Sequence, residues 1–185
     1  AALLARKDAL HQYESKESIY RREEIIDKYA EYIASVDKQM RGLMEHDDEI
    51  KRNYELISSV KGIGLVNAIN TLVYTNNFTS FQTPRQYACY CGIAPFEHTS
   101  GTSIKGRTAV SKMGNQQLKC ELTMAARSAI IHDPWMKQYY KRKMMSKGNA
   151  PGAHGIVLNA IKFKLIVRMF SVVKSGIPYK VMAYC

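Results

Sequence analysis

The chain has 185 residues, of which 46% are apolar and 23% are charged. This length and composition fit one folded domain, or one domain with an extension, and exclude wholesale disorder. The 27 Lys and Arg residues outnumber the 16 Asp and Glu residues, which gives a formal net charge of +11. Charged residues interrupt the most apolar stretch, residues 156–173, so a membrane span and a membrane partner are not expected.

The start of the chain and its cysteines predict its compartment. The first residues lack an initiator Met and the pattern of a secretory signal, so we expect a piece of a longer cytoplasmic protein. No two of the four cysteines have the C-x-x-C spacing of a zinc site. Reduced thiols are therefore predicted at Cys89, Cys91, Cys120 and Cys185.

The charges are distributed unevenly along the chain. Residues 1–60 carry a net charge of −3, whereas residues 61–185 hold 17 Lys and Arg and only three acids, a net charge of +14. Those acids are Glu97, Glu121 and Asp133. The basic part is expected to bind a polyanion, and nucleic acid is the commonest one.

In chain order, the first predicted element is a helical arm over residues 1–55. Apolar residues recur there with heptad spacing, and charged residues lie between them. The two apolar rows are Ile19, Ile26, Ile33 and Met40, and Tyr29, Val36, Leu43 and Ile50. The pattern predicts a coiled coil that pairs subunits, and a helix packed on its own domain is the alternative. Gly42 and the acidic residues at 47–49 allow a bend or a break late in the arm.

The remaining residues, 56–185, predict a basic domain of the all-α class. It begins with Lys61-Gly62-Ile63-Gly64, which lies between two apolar segments and is similar to the turn of a helix-hairpin-helix element. The glycines permit a tight turn, and the amides that open the next helix would face a phosphate oxygen beside Lys61. The alternative is a plain turn in which the glycines only permit close packing.

Further helices are predicted over residues 81–91, 116–131, 135–145 and 154–173. Asn115 starts the second of these, and Asp133-Pro134 caps the third by the usual order of an N-cap followed by proline. Residues 99–110 alternate polar, basic and apolar types around two glycines, which predicts an exposed loop or a short β-hairpin.

Residues 90–115 carry the predicted reaction chemistry. Ser100 precedes Gly101, which frees the backbone beside it, so Ser100 is the preferred nucleophile toward a phosphodiester. The cations predicted to hold that phosphate are Lys105, Arg107 and Lys112. Weaker candidate nucleophiles are Ser103 and Ser111, and a candidate base is His98.

Scarcity of acids argues against a self-contained metal nuclease. A two-metal centre needs several carboxylates to hold its ions about 4 Å apart, and the basic part has three scattered ones. The residues leave three possibilities: a nucleophilic side chain, a metal site supplied by a part of the protein outside this chain, or binding without catalysis.

Basic residues alternate with aromatic residues on the helix predicted over 135–145. Lys141, Arg142 and Lys143 are predicted to contact a nucleic-acid backbone. The alternative is a core helix that turns Trp135, Met136 and Tyr139 inward and leaves its lysines in solvent. On the last helix, the residues predicted to extend the basic surface are Lys162, Lys164 and Arg168.

The order of these motifs resembles the C-terminal transposase domain of the insertion-sequence 110 family. The shared motifs are GIG at 62–64, YCGIAP at 90–95, Ser100-Gly101, Arg107, SKMGN at 111–115 and Leu118-Lys119. The match runs from about residue 57 to about residue 179, and the heptad segment fits the coiled coil that joins the two domains of the family. Family members are serine transposases, also described as bridge-RNA-guided DEDD/serine recombinases.

The resemblance implies a mechanism and a set of partners. By motif position the attacking serine is Ser100, and Lys119, which is predicted to contact DNA, stands where the family often has Arg. An N-terminal RuvC-like domain with four acidic ligands would hold Mg²⁺ and is expected outside this chain. DNA, a structured guide RNA, homodimers that pair into tetramers, and a bacterial or archaeal cytoplasm are further implications.

Two other functions fit the residues. The first is a non-catalytic helix-hairpin-helix module that binds nucleic acid through the glycine turn and the basic helices. The second is an oligomerisation adaptor held by the heptads. In both functions that involve DNA, the residues predicted to contact the flanking backbone are Lys61, Gly62 and Gly64. The chain alone is expected to bind nucleic acid without cutting it.

Overall fold

The computed structural model of the chain describes residues 16–96, 99–100, 104–105, 109–110, 113–148 and 150–181. Helices dominate the described residues, so the predicted all-α class is confirmed. The chain divides into two compact units, residues 1–48 and residues 49–185. The assignment of residues 1–55 and 56–185 to separate domains stays a prediction.

The described part of the first unit, residues 16–48, contains one long helix, α1 (Lys16–Met44). An exposed pair supports it locally, because Lys28 Nζ donates to Glu24 Oε1 at 2.7 Å across one turn. The helix stops before Asp48, within the region where the sequence allowed a bend or break. Large apolar side chains of the heptad region remain more than half exposed: Tyr20, Ile26, Tyr29, Ile33, Val36 and Leu43.

The second unit begins with α2 (Asp48–Ser58), α3 (Leu65–Thr75) and the short α4 (Pro84–Tyr90). Four two-residue strands follow, β1 (Pro95–Phe96), β2 (Thr99–Ser100), β3 (Ile104–Lys105) and β4 (Ala109–Val110). The unit continues with α5 (Gln116–His132), α6 (Pro134–Lys147) and α7 (Ala153–Ser175). Among these elements, α5, α6 and α7 pack against one another, α4 packs on α7, and α3 packs on α5.

Local sequence signals set the helix starts. Thr83 and Gln86 form a capping box around the first turn of α4, and Pro84 occupies the first helical position. The side chain of Asn115 accepts from the Leu118 amide, and Asp133 Oδ1 accepts from the amides of Trp135 and Met136. The predicted caps at Asn115 and Asp133 are therefore confirmed.

The core lies between α7 and the helices packed around it. Its centre consists of side chains with at most 2% exposure, namely Ile57, Val60, Tyr87, Leu118, Met136, Ile161, Leu165, Ile166 and Met169. Every third or fourth residue of α7 faces this core, as expected for an amphipathic helix against one hydrophobic centre. The last turn of α7 ends at Gly176, whose φ of 66° closes the helix in the left-handed conformation.

Of the two predictions for residues 99–110, a loop or a short β-hairpin, the strand pairs correspond to the hairpin. Strand β1 pairs antiparallel with β4, with Pro95 opposite Val110, and β2 pairs antiparallel with β3, with Ser100 opposite Ile104. The inner pair is nested within the outer pair along the chain, which is the order of strands in a β-hairpin with two short ladders. No described helix is long and apolar enough to cross a membrane.

Candidate nucleic-acid interface

Strands β2 and β3 place two of the predicted site residues on one small ladder. Ser100 pairs with Ile104, and Thr99, the residue before Ser100, pairs with Lys105. The two backbones are therefore about one strand spacing apart. Other predicted residues of this region lie outside the described residues: Glu97, His98, Gly101, Ser103, Arg107, Ser111 and Lys112.

Gly92 and Gly114 are in close contact at the base of this hairpin. A Cβ added to Gly114 would lie 2.3 Å from both Cα and N of Gly92, which no side chain can occupy. The amide of Asn115 donates to the Tyr90 carbonyl at 2.9 Å next to this contact. Since Asn115 also caps α5, the hairpin that carries Ser100 leaves the helical body from a fixed point between α4 and α5.

A groove of about 410 Å³ opens beside the same point. The residues that line it are Cys89, Tyr90, Phe96, Met113, Gly114 and Asn115. Tyr90 and Phe96 are each 41% exposed. Aromatic side chains at this level of exposure present ring surface on which a nucleotide base can stack.

Glycines also shape the turn between α2 and α3, and their roles differ. Gly62 has a φ of +97°, and an added Cβ would meet Ala125 O at 2.6 Å and Ala129 Cβ at 2.7 Å. Gly62 thus lets the turn pack tightly on α5. Gly64 precedes the first residue of α3 and has open space around it, and no acidic residue occupies the first turn. Beside it, Lys61 is exposed.

The geometry of this turn is compatible with both predictions, a phosphate-binding turn and a plain helix-helix turn. The close packing of Gly62 is what a plain helix-helix turn requires, and the open start of α3 is what a phosphate contact requires. The phosphate contacts of Lys61, Gly62 and Gly64 stay predictions.

On α6, the predicted cations Lys141, Arg142 and Lys143 are all exposed. The alternative arrangement is also present, because Met136 is fully buried and Trp135 and Tyr139 are half-buried. Trp135 and Tyr139 stack with ring centroids 5.4 Å apart and an interplanar angle of 6°. One helix therefore packs on the core and presents cations on its surface.

The three cations predicted on the last helix have different environments. Lys164 is half-buried, with Nζ over the Trp135 and Tyr139 rings, whereas Arg168 pairs with Asp133. The prediction that Lys162 extends the basic surface is wrong, because Lys162 is only 6% exposed and its Nζ donates to Thr123 Oγ1 at 3.3 Å. Burial, and then the charge of Lys119, lower the pKa of Lys162. Lys119 itself is half-buried.

Two of the acids in the basic part hold the fold together. Asp133 is fully buried, and besides capping α6 it accepts from Arg168 and from the Tyr179 hydroxyl. Glu121 accepts from Asn70 and Gln117. Within the described ranges, no group of three His, Cys, Asp or Glu residues is placed to hold a metal ion. These side chains do not fit a Mg²⁺ site by themselves.

Sequence reasoning missed the contacts that join distant segments. It predicted the cap at Asp133 but not its pairing with Arg168 and Tyr179. It identified Trp135, Tyr139 and Lys164 separately but not their stacking. The spacing of Trp135 and Tyr139 was an available signal, because residues i and i+4 meet on one face of a helix.

Part of this chain matches a known protein family. Residues 54–141, which include the glycine turn, the hairpin and most of α6, match the family described as Transposase IS116/IS110/IS902 family. The predicted resemblance to the insertion-sequence 110 family is therefore supported at the level of this domain.

Similar curated proteins carry related names. A protein of Streptomyces coelicolor called Insertion element IS110 uncharacterized 43.6 kDa protein is 29% identical over 159 residues, which cover 84% of this chain and 38% of that protein. The Pilin gene-inverting protein of Moraxella bovis is 26% identical over 151 residues, 82% of this chain and 46% of that protein. A Probable family 20 transposase of Pseudomonas aeruginosa is 28% identical over 98 residues, 53% of this chain and 28% of that protein. This chain spans less than half the length of these relatives.

Proposed function

We propose that this chain is the C-terminal part of a serine-dependent DNA transposase or recombinase of the insertion-sequence 110 type. The observation that carries the proposal is the hairpin with Ser100, which is anchored by the contact between Gly92 and Gly114 inside the segment matched to the transposase family. The glycine contact fixes the base of the hairpin that carries the serine, and the basic domain around it has few acids to repel DNA. Both features favour attack of the serine on a phosphodiester.

The proposed step is a transesterification. Ser100 Oγ forms a bond to phosphorus while the bond from phosphorus to one bridging deoxyribose oxygen breaks. The serine proton passes to a base, for which His98 is a candidate, and the departing oxygen takes up a proton to become a hydroxyl. Lys105, Arg107 and Lys112 would neutralise the charge that builds up on the phosphate oxygens.

Other parts of the proposal concern the partners. Mg²⁺ is expected in a RuvC-like domain outside this chain, where it would supply charge neutralisation at the reacting phosphate. A structured RNA is the proposed guide for DNA choice. Exposed apolar residues of α1, such as Ile26 and Ile33, support pairing of two copies through this helix, and such dimers could assemble further into tetramers.

A test of the catalytic proposal compares two serines that lie three positions apart in the sequence, Ser100 and Ser103. In the full-length protein with Mg²⁺, Ser100→Ala is expected to abolish the covalent protein–DNA product while DNA binding survives, and Ser103→Ala is the matched control that keeps the product. A covalent product that persists in Ser100→Ala would reject the assignment.

The open start of α3 favours a second candidate, a non-catalytic helix-hairpin-helix module. Gly64 leaves space for a phosphate oxygen there, and Lys61 adds a positive charge. Under this candidate, Lys61→Gln would weaken DNA binding and Ser100→Ala would leave strand exchange by the full-length protein unchanged.

A further inference from the structure

Helices α6 and α7 carry a cluster of cations that no described acid balances apart from Asp133. The sequence of α6 contains five Lys and Arg residues and that of α7 contains four, and neither helix contains an Asp or a Glu. Asp133, at the start of α6, is already engaged by its cap, Arg168 and Tyr179.

Aromatic rings hold part of this charge in fixed positions. The Lys164 amine lies 4.9 Å from the Trp135 ring centroid and 4.7 Å from the Tyr139 ring centroid, so it covers both stacked rings. Arg142 and Lys143 approach the Tyr139 ring at 5.7 and 5.9 Å. A cation near a ring face is stabilised by the ring quadrupole, which lets like charges gather without a carboxylate.

The side chains around Lys164 are also restrained. Arg168 lies 4.8 Å from the Trp135 centroid and 4.5 Å from the Tyr179 centroid, and its pairing with Asp133 fixes it. Burial, and then the neighbouring charges of Arg168, Arg142 and Lys143, lower the pKa of Lys164. An anion bound at this place would relieve that repulsion.

We propose that Lys164, Arg142 and Lys143, arranged around the stacked Trp135 and Tyr139, form a discrete binding site for the phosphodiester backbone of a nucleic acid. The site rests on the proposed function for its choice of ligand, and it is separate from the hairpin that carries Ser100. It differs from the sequence prediction for α6 by adding Lys164 and by leaving out Lys141, for which the described residues show no contact with a ring of the cluster.

The geometry favours the backbone over the bases. Lys164 already lies over both rings, so a base cannot stack on that shared surface without displacing the amine. Arg142 offers a guanidinium fork that can hold two phosphate oxygens, and the two lysines act as point charges beside it. Recognition of this kind is independent of sequence and is shared by DNA and RNA.

The experiment measures binding of the full chain to three fluorescein-labelled probes: a 20-base-pair DNA duplex, the single-stranded DNA, and an RNA hairpin. Fluorescence anisotropy from low to moderate salt gives the affinity and its salt dependence. Lys164→Gln is expected to weaken binding about 3- to 10-fold. It should also reduce the magnitude of the slope of log K against log salt by the amount that one lost phosphate contact predicts. That amount is about 0.9 for duplex DNA and about 0.7 for single strands.

Matched variants separate a site from a general loss of charge. Lys137→Gln removes the same charge from an exposed position on α6 and is expected to leave the salt slope almost unchanged. Arg142→Gln should resemble Lys164→Gln, and Lys164→Arg should restore the slope. Circular dichroism melting of each variant checks folding, and Lys164→Arg provides a folded reference at the same position.

The outcomes distinguish this proposal from the proposed function. A slope that Lys164→Gln reduces more than Lys137→Gln does, for any probe, supports the site and identifies its ligand. Equal effects of Lys164→Gln and Lys137→Gln on all three probes, with steep binding by the unmodified chain, would overturn the site alone. Failure of the unmodified chain to bind any probe would overturn both. Selective loss of poly-glutamate binding in Lys164→Gln, with unchanged nucleic-acid binding, would replace the site by one for an acidic protein.

Discussion

Gly92 and Gly114 lie in direct backbone contact, so close that a Cβ on Gly114 would be 2.3 Å from Gly92 Cα. Twenty-two positions separate them in the sequence, and the hairpin with Ser100 lies between them. Glycine is needed at position 114 because a side chain there would force the two ends of the hairpin apart. The contact links the fold of the helical body to the position of the proposed nucleophile.

Gly114→Ala is therefore expected to destabilise the chain by about 1–3 kcal/mol, the usual cost of overpacking, and to displace the hairpin base. Urea unfolding measures the first effect, and covalent product formation by the full-length protein measures the second. Gly155→Ala is the control, because Gly155 lies in α7 with open space around it and should be neutral or stabilising. Equal stability of Gly114→Ala and the unmodified chain would contradict the contact.

Asp133 is expected to be the acid whose loss costs most. Asp133→Ala leaves Arg168 without its partner and removes the cap of α6, so a loss of about 3–5 kcal/mol in the free energy of unfolding is expected. Asp133→Asn keeps an acceptor for the cap and should cost less. Chemical denaturation of both variants gives the comparison, and equal losses would show that the cap acceptor of Asp133 contributes nothing beyond its charge.

Tyr179 gives a prediction about pH. Burial and the hydrogen bond to Asp133 raise the pKa of Tyr179 to about 12, above the usual value of about 10. The folded state favours the neutral phenol, so Tyr179 stabilises the fold in full below about pH 10. This stabilisation is lost as the pH rises toward 12. The difference in free energy of unfolding between the unmodified chain and Tyr179→Phe should therefore narrow over that interval. A constant difference would contradict the shifted pKa.

Lys162 is expected to be a cost to stability at neutral pH. Burial lowers its pKa, so the folded state disfavours the charged amine. The free energy of unfolding should therefore rise as the pH increases toward the pKa that this lysine has in the unfolded chain. Lys162→Met should stabilise the chain by about 1 kcal/mol at pH 7, and the gain should shrink at high pH. Thermal unfolding at two pH values tests this, with exposed Lys174→Met as the control. A destabilised Lys162→Met would contradict the prediction.

Local signals allowed much of the fold to be predicted from the sequence. The caps at Asn115 and Asp133 depend on residues within three positions of each other, so their types and order were sufficient. For residues 99–110, alternation and two glycines predicted either an exposed loop or a short β-hairpin, and the strand pairs correspond to the second. Its outer ladder extends to Pro95, which the sequence pattern did not reveal.

The features of the fold that were not predicted from the sequence depend on contacts between distant segments. The contact of Gly92 with Gly114 and the pairing of Asp133 with Arg168 appear only when the helices are packed. Lys162 was misplaced for a different reason, since its charge suggested solvent, whereas its spacing from Leu158 and Leu165 places it on the buried stripe of α7. Helical position was the better guide there.

The central claim is that Ser100 becomes bonded to DNA. The most direct measurement traps the full-length protein on its DNA substrate, digests the adduct with trypsin and nuclease, and sequences the peptide of residues 86–105 by tandem mass spectrometry. If Ser100 is the nucleophile, the spectrum will show a nucleotide phosphate attached to Ser100. A nucleotide on a different side chain, or DNA cleavage with no adduct on this peptide, would contradict it.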